Sequence, residues 1–408
     1  MSKHSCDEHA SLRYCLFCDS TEEDLDLTTK KKGRCIMILP MQTLRGVAQG
    51  IAKEPMIFSR KGAISDSQIQ MATVDCSLGD RVYHMNAAAL PSSGERVSDL
   101  VKRFSPFSFT AEESRVLTRG ACYLVPLNES LALASQFSAV ASPKSSIGRT
   151  DTFVRILIDR YTQYDRAEQG YHGPLYLEIT PLSFNIIIAS GLEMTQFRVR
   201  DRKELFSDGA LAALHSQYGV LHRKDGSVMS LDEVEIFNKG YFFHIDLDRD
   251  IVGFEAKANP MACLDLSKEN YHEIDDFWTP IGRPRGGDIV LTPGRFYLLT
   301  TKERVRIPPT CCAEIVPYDV STGEYRSHYA GFFDNGFGGE DGTHVVLEVR
   351  ARDVPQRLYH GQRICRMVFE QTQEVPARLY GEGAGSHYTS GNPSLSKHFK
   401  DREDAWLG

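Results

Sequence analysis

The chain has 408 residues, 41% of them hydrophobic and 25% charged, with a net charge of −7. That length fits two domains, and the composition excludes fibrous and disordered classes for most of the chain. The acidic balance means that an anionic ligand must be held by local Lys and Arg, and it argues against nucleic acid as a partner.

From the N-terminus, residues 1–34 are polar, with an acidic stretch from Glu22 to Asp26 and the run Lys30-Lys31-Lys32. They predict a disordered extension whose deletion leaves activity within a few-fold. Cys6, His9, Cys15 and Cys18 offer a second reading, C-x2-H-x5-C-x2-C, a set of four zinc ligands. The ten cysteines are otherwise scattered and read as reduced thiols. No apolar run approaches the roughly 20 residues of a membrane helix, and MSKHSCDEHASLRYC holds no apolar signal core, so the expectation is a cytoplasmic protein with no membrane partner.

From residue 37 one pattern is written twice. A helical period comes first, as Met41, Leu44, Ala48 and Ile51 in one copy and as Leu211, Leu214 and Tyr218 in the other, the latter opened by Ser207-Asp208 as a cap. Leu117 to Pro143 then aligns without a gap on Leu291 to Pro317. Gly173 to Thr180 is matched by Thr343 to Arg350, and Gly191 to Arg200 by Gly361 to Glu370. Short β-rich runs divided by Gly, Pro, Asn and Asp predict a mainly β protein of sandwiches or barrels with short helices. The units are placed at 35–204 and 205–400, with a short tail at 401–408.

Two segments of the first copy carry candidate chemistry. Lys144-Ser145-Ser146-Ile147-Gly148-Arg149 sets two cations and two hydroxyls on a tight turn, a combination that suits phosphate oxygens but also occurs on plain surfaces. Further on, alternation puts Glu178 on the face of Tyr176, with Leu175 and Leu177 opposite. Glu178 is either an exposed strand glutamate or a general base with raised proton affinity.

Ile69 to Tyr83, the segment PKSSIGR (Pro143 to Arg149) and GYHGPLYLEI (Gly170 to Ile179) resemble successive motifs of dCTP deaminases, a branch of the dUTPase-like superfamily. Leu379 to Phe399 is similar to that family's tail, and the likeness fits best the two-copy bacterial form. The resemblance implies tandem dUTPase-like β-barrels (the β-clip fold) that assemble as a homotrimer and convert dCTP to dUTP and ammonia, feeding dUMP and dTTP synthesis. It implies Glu178 as the base that activates a water, Ser145 holding that water, and Arg149 fixing Glu178 and stabilising the adduct. Lys144, Ser146 and Gly148 would cradle phosphates, Glu168 would lie near the sugar, and Tyr176 and Leu177 would contact the pyrimidine. Tyr380, His387 and Tyr388 would close over the triphosphate. Mg2+ is expected only with the triphosphate, and no catalytic zinc. The first motif departs from the family's pattern, reading Gln70-Met71-Ala72-Thr73 and then Asp75-Cys76-Ser77-Leu78-Gly79 where QPAS and DLRLG are usual.

The second copy keeps Glu348, but its turn reads Tyr318-Asp319-Val320-Ser321-Thr322-Gly323, and an aspartate repels phosphate. This copy is therefore expected to be a scaffold that lends its tail. Zinc-dependent deaminases need a PCxxC pair, which is missing here. The remaining alternatives are a dUTPase, a bifunctional deaminase and dUTPase, and a silent nucleotide-binding regulator.

Overall fold

The computed structural model describes residues 37–201, 204–317, 325–327, 331–382, 388 and 395–400. The expectations for residues 1 to 34, the 318 to 323 turn, His387 and the tail at 401–408 lie outside them. The fold is mainly β. Among the described residues five α-helices punctuate the strands: α1 (Met41–Ala48), α2 (Val97–Phe104), α3 (Ser145–Gly148), α4 (Asp208–Tyr218) and α5 (Ile274–Phe277). Helix α1 stops before Ile51, because Gly50 takes a positive φ of 71°, and Ile51 is left 73% exposed. Helix α4 starts as its sequence predicts, with the Ser207 side chain accepting a hydrogen bond from the Ala210 N–H. No helix among the described residues is long and apolar enough to cross a membrane.

The first unit has a six-stranded sheet whose main path runs Phe107–Thr110, Arg81–Met85, Cys122–Ala132, His172–Pro181, Thr152–Ile158. A four-stranded sheet, Val74–Ser77, Glu193–Arg200, Ser138–Pro143 and Arg166–Ala167, accompanies it. Alternation sorts the side chains: Tyr123, Val125, Leu175, Leu177 and Ile179 enter the main core, whereas Leu124, Cys122 and Tyr176 point to the opposite face.

The second unit repeats this plan. Its larger sheet runs Trp278–Gly282, Ile251–Ala256, Phe296–Val305, Thr343–Ala351, Tyr325–Ser327, and its smaller sheet joins Tyr241–His244, Arg363–Gln371, Cys311–Pro317 and Phe332–Phe333. Here both faces of the larger sheet are buried. Tyr297, Leu299, Leu347 and Val349 fill the unit's own core, while Phe254, Phe296, Leu298 and Val346 join the core of the first unit. Each such side chain withdrawn from water contributes roughly 1.5–3 kcal/mol, so the junction is a shared core rather than a loose contact.

Strand pairing, aromatic contacts and ion pairs cross that junction. Ile186–Ile188 pairs in parallel with Leu264–Asp265, and Phe184 meets Phe277 and Trp278 edge-on at 5.2 and 5.4 Å. The buried Arg198 guanidinium lies 2.6 Å from Glu314 of the second unit, and Arg200 lies 2.7 Å from Glu370.

Candidate active site

The strand Ser138–Pro143 ends in a proline, after which the chain folds into the short helix α3 and closes it with the Arg149 N–H donating to the Ser145 carbonyl at 3.1 Å. Ile147 anchors this turn in the core, leaving Lys144, Ser145, Ser146 and Arg149 to line a cleft of about 200 Å³. The opposite wall comes from the second unit: Phe332, Asp334, His344, Glu348, Tyr380 and Tyr388.

Glu348 is 2% exposed and stands on Thr343–Ala351, directly across from Leu298. Leu347 and Val349 on either side point into the second unit's core, which turns Val346 and Glu348 towards the first unit. Two residues on along the same face, Arg350 forms an ion pair with the buried Asp151, which follows Arg149 by two positions. The pair ties the Glu348 strand to the 144–149 turn.

Lys144 is held by Asp75 and, at 3.0 Å, by Glu193. Burial works against its charge, but the two carboxylates outweigh burial and hold the ammonium above its ordinary value. Burial pushes the Asp75 carboxyl up to about 6 against the pull of Lys144. Asp334, beside them, is pushed up to about 7 by burial, with the nearby Asp75 adding to the effect. His344 is kept neutral: burial, then the neighbouring Arg249, lowers it to about 3.

The tail lies over the turn. The Arg149 guanidinium stacks 3.8 Å from the Tyr388 ring centroid, and the Tyr388 N–H donates to the Tyr380 hydroxyl at 3.1 Å. The Ser396 hydroxyl donates to the Ser146 carbonyl at 2.7 Å, and Lys397 reaches the cleft.

The structure therefore unites Lys144, Ser145, Ser146, Arg149, Tyr380 and Tyr388, with Gly148 buried behind them in α3. It places the other expected residues elsewhere in the chain. Glu178 is 3% exposed and accepts hydrogen bonds from the Ala89 N–H and the Tyr164 hydroxyl, both at 3.3 Å, beside Cys122. Burial raises its proton affinity. Leu177 is in the core, Glu168 is on the surface, and Tyr176 lines a separate groove with Phe58, Tyr83 and Val101. Within one chain Arg149 and Glu178 are thus not buried together, and the second unit supplies a strand carboxylate as well as a tail. The sequence offers Glu348 as the match of Glu178 in the repeat but points to its copy as a scaffold, and the structure sets it in the cleft. Asp334 had no such signal. Among the described residues, no group of three or more His, Cys, Asp or Glu side chains is arranged to hold a metal ion.

A buried carboxylate facing a turn rich in cations and hydroxyls, in a cleft between two β units, is equipped for hydrolytic chemistry on an anionic ligand. Comparison with known proteins narrows that class. The family model for the N-terminal domain of 2'-deoxycytidine 5'-triphosphate deaminase matches residues 37–203, and the model for its C-terminal domain matches 207–399. The crystal structure of 2'-deoxycytidine 5'-triphosphate deaminase from Agrobacterium tumefaciens superimposes with a TM-score of 0.75 at 36% identity, covering 84% of this chain and 100% of that one. A Halobacterium salinarum protein named "dCTP deaminase, dUMP-forming" is 32% identical over 44% of this chain and 90% of its own length. A Natronomonas pharaonis dCTP deaminase is 30% identical over 45% of this chain and 92% of its own length. The chain belongs to the dCTP deaminase family.

Proposed function

We propose that the cleft between the two units hydrolyses dCTP to dUTP and ammonia, with Glu348 as general base. The observation that carries this reading is that Glu348 and the Lys144 to Arg149 turn line one cleft, whereas Glu178 does not reach it. Glu348 takes a proton from a water as that water's oxygen bonds to C4 of cytosine. The same carboxyl passes that proton to N3, then carries the adduct's hydroxyl proton to the amino nitrogen; the C4–N bond breaks as the C4 carbonyl forms, and ammonia leaves. The Ser145 hydroxyl holds the water, and Arg149 steadies the charge of the adduct. Lys144, Ser146 and Lys397 are the groups for the triphosphate, which enters with Mg2+ as part of the substrate. Tandem dUTPase-like barrels and a threefold assembly of chains belong to the same reading.

A second reading, hydrolysis onward to dUMP, is favoured by the name of the H. salinarum relative. One assay tests both: dCTP with Mg2+ is followed for ammonia and pyrophosphate together. Ammonia alone is the expected result, and both products in equal amounts mark the dUMP-forming course. Glu348→Gln cannot accept the water's proton, so kcat should fall on the order of a hundredfold or more while nucleotide still binds. Binding without turnover by the unaltered protein would make it a regulator instead.

A further inference from the structure

The two larger sheets can be laid on one another strand by strand. Glu178 pairs with Leu124, which pairs in turn with Tyr83; Glu348 pairs with Leu298, which pairs with Phe254. Leu124 and Leu298 are aligned in the sequence repeat. Glu178 and Glu348 therefore hold the same place on the same face of two like sheets, yet those faces have different covers. On the second unit the cover is the first unit, whose core takes in Phe254, Phe296, Leu298 and Val346. On the first unit it is the chain's own helix α2, with Val97 and Leu100 packed on Met85, Leu124 and Leu157.

Helix α2 is fastened at both ends. The Val97 N–H donates to Asp159 at 2.9 Å, the Arg160 N–H donates to the Glu95 carbonyl at 2.8 Å, and the Asn86 N–H donates to the Phe104 carbonyl at 2.9 Å. The Ala89 N–H, in the loop leading to the helix, donates to Glu178 itself. In the second unit the corresponding connection runs away from the sheet: its Leu264–Asp265 strand pairs with Ile186–Ile188 of the first unit. That path leaves Glu348 facing the cleft.

We infer that the chain carries one nucleotide site and not two, because helix α2 and the loop before it take on the first unit the place that the first unit takes on the second. Glu178 is then an anchor for this cap, and the docking face it would otherwise offer to another unit's phosphate turn is closed. The inference rests on the reading of Glu348 as the base, but its test separates the two. Calorimetric titration of Glu348→Gln with Mg2+–dCTP should show one nucleotide bound per chain, and two per chain would overturn the inference whatever the turnover. Glu178→Gln should keep kcat within about threefold of the unaltered protein; a loss as large as that of Glu348→Gln would also overturn it. If Glu178→Gln does not fold, Tyr164→Phe removes a side-chain donor to this carboxylate and is held to the same limit. A wild-type protein that binds one nucleotide and releases no ammonia would defeat the catalytic reading and leave the single site standing.

Discussion

At the scale of residues, the cleft concentrates carboxylates whose protonation is coupled to folding. Asp334 is pushed up from 3.8 to about 7 by burial. A carboxyl raised in the folded state favours folding most when protonated, so its contribution is fully present below about pH 3.8 and is lost as pH rises through about 7. Asp334→Asn is neutral throughout and escapes that loss. Its stability relative to the unaltered protein should therefore climb between pH 4 and 8, read as the difference in urea midpoints at those two values. A difference that does not change with pH would mean that Asp334 is already ionised across the range. Residues of this kind were not legible in the sequence, because the shift of Asp334 comes from burial in the folded protein and from the charge of Asp75 in the other unit. The 144–149 turn was legible, since its cations and hydroxyls are neighbours in the chain. The choice between Glu178 and Glu348 was not: the two strands carry the same local pattern, and only packing between units decides which carboxylate meets the turn.

At the scale of elements, the tail and helix α2 show two ways in which a segment can cover a face. The tail was expected to close over the ligand, and Tyr388 does stack on Arg149. The same tail also returns Leu395 and Phe399 to the core, with Phe399 5.6 Å from Phe277 and 6.0 Å from Trp278. Truncation after Pro376 would therefore remove core side chains together with Tyr388, and so could not report on the tail's contact with the cleft alone. A single substitution separates the roles. Tyr388→Ala removes the ring under a partly desolvated guanidinium, a contact worth about 0.5–2 kcal/mol, so the KM for dCTP should rise by up to about thirtyfold with kcat less affected. An unchanged KM would take Tyr388 out of the site. Helix α2 was overlooked in the sequence, although Val97, Leu100, Val101 and Phe104 follow the i, i+3, i+4, i+7 spacing of an amphipathic helix. Its eight residues stand between strands in a chain that otherwise reads as β.

At the scale of the whole molecule, the repeat in the sequence announced two like units but not how they would be joined. Junction residues such as Leu298 and Val346 alternate with core residues along strands buried on both faces, and such strands read as continuous apolar runs. The join matters because the cleft is lined from both units, and the ion pair of Asp151 with Arg350 is one of the contacts across it. Asp151 is fully buried at the end of the 144–149 turn, and Arg350 shares a strand face with Glu348. Arg350→Met keeps much of the side chain's bulk but leaves the Asp151 carboxylate without that cation, at a cost of about 3–5 kcal/mol for a pair this buried. If the pair only stabilised the protein, the variant would melt earlier and turn over normally once folded. If it also sets the Glu348 strand against the turn, a shift of about 1 Å there costs up to a hundredfold in rate. The expected outcome is a kcat at least tenfold lower, at a temperature where circular dichroism shows the variant folded, with dCTP binding largely retained. Arg350→Lys, which restores a charge but not the planar fork, should recover part of that loss. Full kcat in folded Arg350→Met would show that the shared core alone holds the two halves of the site in register.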